Sequence, residues 1–223
     1  MLEIPCYLGY LAMAIGIVTI FGWFTGIEVI QNPFEDLPSM SVLSATASIL
    51  GGAMVCAFAR KDTYLDTEKS EMLLWVGIIL LAMIGIPLLA ANTFDIYFGL
   101  EDYFSPRTVQ GIQTNPVIAS FGTVACMFLT LGVGIIALLR GKPFSKLIFL
   151  AGIMIIGIAT LAIIGYLIGN PQLYYTSSRA SGMAVRTVIG FLAIGLGFVI
   201  ANHQKKHAAE SPSIEKTTLR RGA

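Results

Sequence analysis

The sequence predicts an all-α integral membrane protein: a six-helix bundle of three parallel two-helix pseudo-repeats, with both termini in the cytoplasm. Three observations predict it. The chain is 56% hydrophobic and only 12% charged, whereas a soluble domain carries about 25% charged residues. Six apolar runs approach or exceed the ~20 residues that a helix needs to cross the hydrocarbon core. Finally, one phrase occurs twice. Gly22-Trp23-Phe24-Thr25-Gly26 leads to Met40-Ser41-Val42-Leu43-Ser44, and Gly165-Tyr166-Leu167-Ile168-Gly169 leads to Met183-Ala184-Val185-Arg186-Thr187.

The anchors 22 and 165, 26 and 169, and 40 and 183 each lie 143 positions apart, so register holds through the intervening loop. A weaker third copy lies at Asn115-Pro116-Val117-Ile118-Ala119-Ser120. Internal repetition constrains architecture before any single motif does. Each copy holds two crossings, which makes the copies parallel hairpins rather than an inverted pair. Mean hydropathy is +0.79. A membrane barrel would show alternating segments of about 10 residues, and these runs do not alternate.

The expected spans are residues 6–27, 37–59, 72–91, 116–139, 147–168 and 183–201, forming a transmembrane domain over 1–202. Residues 203–223 read as a cytoplasmic polar tail or linker, too short to fold alone. Placing the C-terminus inside puts 11 of the 14 Lys and Arg residues on the cytoplasmic side, leaving Arg107, Arg179 and Arg186 outside. That asymmetry sets orientation and predicts a cell (plasma or inner) membrane location. Met1-Leu2-Glu3 lacks the basic region of a cleavable signal.

Taken in order, the first run carries Cys6. It shares no metal-ligand spacing with Cys56 or Cys126, so all three thiols read as small buried apolar groups. The first outer loop holds Asn32-Pro33 and Leu37-Pro38, both breakers. On the second run Ser44, Ser48 and Gly52 recur every fourth residue, a small-residue face that lets two backbones approach. Pro87 inside the third run predicts a kink or a free carbonyl. The second outer loop, residues 92–114, is the longest. Its Phe94, Tyr97 and Phe98 suit a short interfacial helix. Ala193 and Gly197 repeat the small-residue pattern on the last run.

Several chemistries are excluded by residue type. The only histidines, His203 and His207, lie outside the apolar runs, so bis-His haem and His-based copper at membrane depth have no ligands. No nucleotide loop, zinc spacing or Ser/His/Asp set occurs, and the expectation is no cofactor, no metal, no catalytic residue and no nucleic-acid partner. The apolar runs contain no carboxylate for proton coupling.

One ionisable residue does stand inside a run: Arg186, about one turn below the outer surface. A charge there needs a partner or must reach the lipid phosphates. Glu28, Asp36 and Asp95 are the expected ion-pair partners. Around it the repeats place Ser41, Ser44, Asn115, Ser120 and Thr187 at similar depth, a polar ring of the kind a small-molecule site uses. The candidate ligand-binding set is therefore Arg186, Thr187, Ser44, Asn115 and Ser120.

The stretch from Met183-Ala184-Val185-Arg186-Thr187 to Gly195-Leu196-Gly197 resembles the last helix of the polytopic N-terminal sensor regions of bacterial and archaeal histidine kinases and diguanylate cyclases. Leu161–Gly169 and Asn115–Leu139 with its trailing Arg140 are similar to the same regions. The likeness covers about half the chain and is clearest over residues 115–200. Arg186 stands where those proteins tend to have His or Asn, and no kinase, PAS or cyclase module is found after Ala201 in this sequence. It therefore reads either as a detached sensor region cut just after the linker or as a stand-alone relative acting on a partner. The resemblance implies a sensory input module without catalysis of its own, which detects an outer-leaflet or intramembrane stimulus and relays it through the last helix. Its expected partners are the bilayer and either a second copy or a membrane or cytoplasmic signalling protein. An accessory subunit of a larger membrane complex and a small-solute transporter or channel are the other readings.

Overall fold

The computed structural model describes residues 3–31, 37–61, 67–94, 107–109, 112–114, 119–139, 145–174 and 182–210. Its helices are α1 (Glu3–Thr25), α2 (Glu28–Gln31), α3 (Val42–Arg60), α4 (Thr67–Phe94), α5 (Phe121–Leu138), α6 (Ser145–Leu167) and α7 (Val185–Glu210). All but α2 are long and apolar enough to cross a membrane. The remaining described elements are a 3-10 turn at Pro171–Leu173 and a two-stranded antiparallel ladder, β1 (Arg107–Val109) with β2 (Ile112–Thr114). The ladder was not anticipated. The expected interfacial helix falls largely on residues outside those described.

The six long helices divide into inner and outer sets. About two-thirds of α3 and α7 is buried, against about a third of α1, α4 and α6. The outer helices sit in grooves between inner ones: α1 against α3 and α7, α4 against α3 and α5, α6 against α5 and α7. The inner three converge where a side chain is missing. A Cβ on Gly51 of α3 would stand 2.6 Å from Ile194 Cδ1 of α7 and 3.5 Å from Thr130 Cγ2 of α5. Outward, Tyr7, Phe21, Trp75, Ile79, Met83, Phe149 and Ile153 remain exposed on α1, α4 and α6. Apolar belts on these three outer helices fit lipid rather than water.

Lipid supplies no hydrophobic drive between helices, so close backbone packing must. At the α1–α3 crossing, an added Cβ on Gly9 would stand 2.6 Å from the Gly52 carbonyl oxygen, and one on Gly52 would strike the Gly9 carbonyl. At the α6–α7 crossing, Gly152 and Gly195 face each other's carbonyls at 3.2 and 3.0 Å. Of the expected small-residue positions, Gly52 serves α1 and Ser48 faces Gly190 of α7, while Gly197 packs on Val55 of α3 rather than on its own hairpin partner. Ala193 is buried. The α4–α5 contact has no glycine pair of this kind; Gly134 there faces Ile78 and Met54 side chains.

Helix ends differ from the expected spans for local reasons. α3 starts at Val42 and α5 at Phe121 because Ser41 and Ser120 are extended N-caps, with ψ of 154° and 155°. α4 starts at Thr67 with the polar Glu68, Lys69 and Glu71, and it stays helical through Pro87. α7 continues past Ala201 to Glu210, since Asn202 and Lys205 give its next turns fixed partners.

Those partners define one end of the bundle, here the lysine end. Lys61 is 5% exposed; its Nζ donates to the Ala137 carbonyl at 2.9 Å and pairs with Glu71 at 3.4 Å. Lys205 Nζ donates to the Lys61 carbonyl at 2.7 Å and lies 5.1 Å from the Phe58 ring centre. Ammonium groups thus satisfy carbonyls at the C-terminal ends of α5 and α3, where the helix dipole favours cations. Asn202 and Ser145 exchange two further bonds, at 2.9 and 3.0 Å. Arg60 donates to the Tyr10 hydroxyl at 2.5 Å, which brings the start of α1 to this same end.

Gly9→Ala places a methyl against the Gly52 backbone and is expected to cost about 1–3 kcal/mol through overpacking. Gly132→Ala, with nothing within 4 Å, is expected to be neutral. Thermal unfolding read by a thiol-reactive fluorophore, reporting exposure of the buried Cys6, Cys56 and Cys126, separates the two. Equal melting temperatures for the two variants would refute the close α1–α3 crossing.

Candidate functional site

The opposite end, where all three inner helices begin, holds the polar groups. Ser41, just before α3, has an extended backbone. Its Oγ accepts from the Ser44 amide at 3.1 Å and meets the Ser44 hydroxyl at 2.7 Å. Ser120 does the same for α5, accepting from the Thr123 amide at 3.2 Å and meeting the Thr123 hydroxyl at 2.8 Å. Serine caps because its short side chain reaches amides that a helix's first turn leaves unpaired. α7 has Ala184 at this position and no hydroxyl cap. The backbone bonds are still equivalent: Ala45 to Ser41, Val124 to Ser120 and Val188 to Ala184, at 2.9, 3.0 and 2.9 Å. Ser44, Thr123 and Thr187 thus occupy the same helical position on the inner helices, each 3% exposed or less.

One residue earlier, each inner helix has a carbonyl taken up by the preceding outer helix. Trp23 Nε1 donates to the Met40 carbonyl at 2.8 Å, Asn92 Nδ2 to that of Ala119 at 3.2 Å, and the Tyr166 hydroxyl to that of Met183. The loops arriving there are shaped by glycines. Gly26 and Gly169 take φ of +72° and +64°, a region that favours glycine because it has no Cβ. Gly22 lies against Ile30, and Gly165 against Leu173 and Tyr174. Gln31 Nε2 donates to the Gly22 carbonyl at 2.9 Å. Tyr166 stacks on Tyr174 at 4.1 Å between ring centres, and the Met183 amide donates to the Tyr174 carbonyl at 2.9 Å.

Arg186 takes an unexpected partner. Its Nη1 donates to the backbone carbonyl of Ile30 in α2, so it bridges the start of α7 to the loop between α1 and α3. Of the expected ion-pair partners, Asp36 and Asp95 lie outside the described residues, as does the side chain of Glu28. Asn115 also lies outside. Ser44, Ser120 and Thr187 are described, and all come to this end of the bundle, buried. Sequence reasoning missed Thr123 and the three carbonyl donors. For Trp23 and Tyr166 the signal was available: each stands seventeen positions before a methionine whose carbonyl it holds.

The described groups brought together are hydroxyls, backbone carbonyls and one guanidinium. They donate and accept hydrogen bonds beside three helix N-termini, whose dipoles present partial positive charge. Such a set recognises polar groups or fixes geometry. Among the described residues no three His, Cys, Asp or Glu side chains cluster as metal ligands. The fold thus defines the protein's class: a multi-pass helical membrane protein with six helices able to span. Comparison of the chain with protein-family models, with curated proteins and with solved structures found no match.

Ser41→Ala and Ser120→Ala each remove a cap and are expected to cost about 1 kcal/mol, with Asn in place of Ser retaining most of it. Arg186→Leu is expected to speed hydrogen exchange of the α2 amides at 28–31 while leaving the lysine end unchanged. Unaltered exchange at 28–31 would mean that Arg186 does not hold that loop.

Proposed function

We propose that the chain is a membrane sensory input module, detecting a stimulus at the outer leaflet or within the membrane and passing it on through α7. The observation that carries this reading is the course of α7. It begins beside the hydroxyl layer, is tied there by Arg186 to Ile30, packs against α1, α3, α5 and α6, and continues as one helix past Ala201 to Glu210. A change in packing at one end therefore has a continuous rigid path to the other. In this reading the module performs no covalent chemistry. It acts on a second copy or on a signalling partner.

Two structural proposals accompany it. The first is that three parallel hairpins, α1–α3, α4–α5 and α6–α7, are copies of one unit. Equivalent jobs at positions 9 and 152, 23 and 166, 26 and 169, 40 and 183, and 52 and 195 support this. So does the meeting of Gly51, Thr130 and Ile194, each seven residues past Ser44, Thr123 and Thr187 respectively. The second is that the lysine end faces the cytoplasm of a plasma or inner membrane, on the positive-inside argument, with both termini there. A homodimer would use outward apolar faces, because Gly9, Gly52, Gly152 and Gly195 are already occupied within the chain.

A transporter reading draws on the same hydroxyl layer. Against it, Ile194 reaches Gly51 where the inner helices meet, closing the path between them. The deciding measurement uses a spin label at the exposed Lys206, with the protein in lipid nanodiscs. Arg186→Ala and Thr187→Val are expected to change the label's mobility at the far end of α7. Identical spectra, or solute flux in liposomes that depends on Arg186, would overturn the sensory reading.

A further inference from the structure

Past Ala201, α7 carries the only two histidines of the chain, His203 and His207, four positions apart and both exposed. Side chains four apart on a helix are neighbours. Their Nε2 atoms stand 3.2 Å apart, with ring centres 4.4 Å apart and ring planes at 64°. The other side of this turn is fixed to the bundle. Lys205 is bonded to the Lys61 carbonyl over Phe58, and Asn202 is bonded twice to Ser145. The helix is thereby held in rotation, with the two imidazoles turned outward.

Two nitrogens bound to one ion at about 2.0–2.1 Å, with a near-tetrahedral angle between them, stand about 3.3 Å apart. The observed separation matches. We propose that His203 and His207 chelate a borderline divalent transition-metal ion, of the Zn²⁺, Ni²⁺ or Cu²⁺ class, through their Nε2 atoms. Water or a donor from another molecule would complete the shell. Imidazole suits these ions, whereas Mg²⁺ and Ca²⁺ require oxygen ligands. Binding needs both Nε2 atoms unprotonated, so each ring carries its proton on Nδ1 and the direct contact between the rings gives way to the ion. The sequence offered no metal site here because four-residue spacing becomes a chelate only when the segment is helical. Two neutral ligands beside the charge of Lys206 make an exchangeable site, not a structural one. Bound metal would brace the part of α7 that emerges from the bundle; this regulatory role, unlike the site itself, rests on the sensory reading.

The test uses the full chain in detergent, without a polyhistidine tag and stripped by chelator. It is titrated calorimetrically with Zn²⁺, Ni²⁺ and Cu²⁺ in turn, and the Cu²⁺ complex is examined by electron paramagnetic resonance. The expected result is saturable binding, with imidazole nitrogen hyperfine structure in the Cu²⁺ spectrum. His203→Ala and His207→Ala should each weaken binding by at least about tenfold. The double change His207→Ala with Ala208→His keeps two histidines at the wrong spacing and should not restore it. No binding by the unaltered chain up to about 1 mM ion, a dissociation constant that corresponds to only about 4 kcal/mol, overturns the proposal. So does binding that survives either single substitution. Failure of the spin-label test leaves these titrations unaffected, so the site and the relay stand or fall separately.

Discussion

Everything in this bundle depends on how closely three helices can meet along its centre. Gly51 contributes no side chain, and Ile194 and Thr130 reach into the space it leaves. That contact sets the spacing of α3, α5 and α7, and the grooves between them receive α1, α4 and α6. In a bilayer, packing of this kind has to do what water expulsion does for a soluble core, because exposed side chains are already in an apolar solvent. Shape complementarity therefore matters more than apolar area, and backbone-to-backbone approach at Gly9 with Gly52, and Gly152 with Gly195, is its most exacting form.

The same solvent makes helix ends expensive. Unpaired amides and carbonyls have no water to turn to inside the hydrocarbon, and the two ends of the bundle meet this differently. At one end, serine caps serve α3 and α5, and donors from the outer helices take up the carbonyls of Met40, Ala119 and Met183. At the other, Lys61 and Lys205 cover the carbonyls of Ala137 and Lys61. Among the described residues, the polar side chains at both ends are thus largely occupied with the backbone. Arg186 fits the pattern: its guanidinium donates to the carbonyl of Ile30.

The membrane class and its six helices were legible because apolar length is a property of whole segments. The hydroxyl layer was partly legible. Ser44, Ser120 and Thr187 could be grouped from the repeated phrase, but Thr123 could not, because the α5 cap that places it falls at Ser120, five residues after Asn115. Cap positions shifted the starts of α3 and α5, since apolarity alone does not distinguish a non-helical approach such as Leu37-Pro38 from a helical turn. Gly9, Gly152 and Gly195 escaped notice among 23 glycines; composition says nothing about which glycine faces a neighbouring backbone. Arg186 stands out in the sequence as a charge inside an apolar run, yet its bond to a main-chain oxygen 156 positions away leaves no trace in residue type.

Followed in chain order, α1, α3, α4, α5, α6 and α7 each lie against the next, and the circuit closes where α7 returns to α1. Five of these joints are also covalent; the sixth has no peptide connection and is held by contact alone. Arg186 sits at that seam, its guanidinium on one lip and Ile30 on the other. The start of α1 lies beside Gly197 of α7, so this edge is formed by the first and the last helix of the bundle.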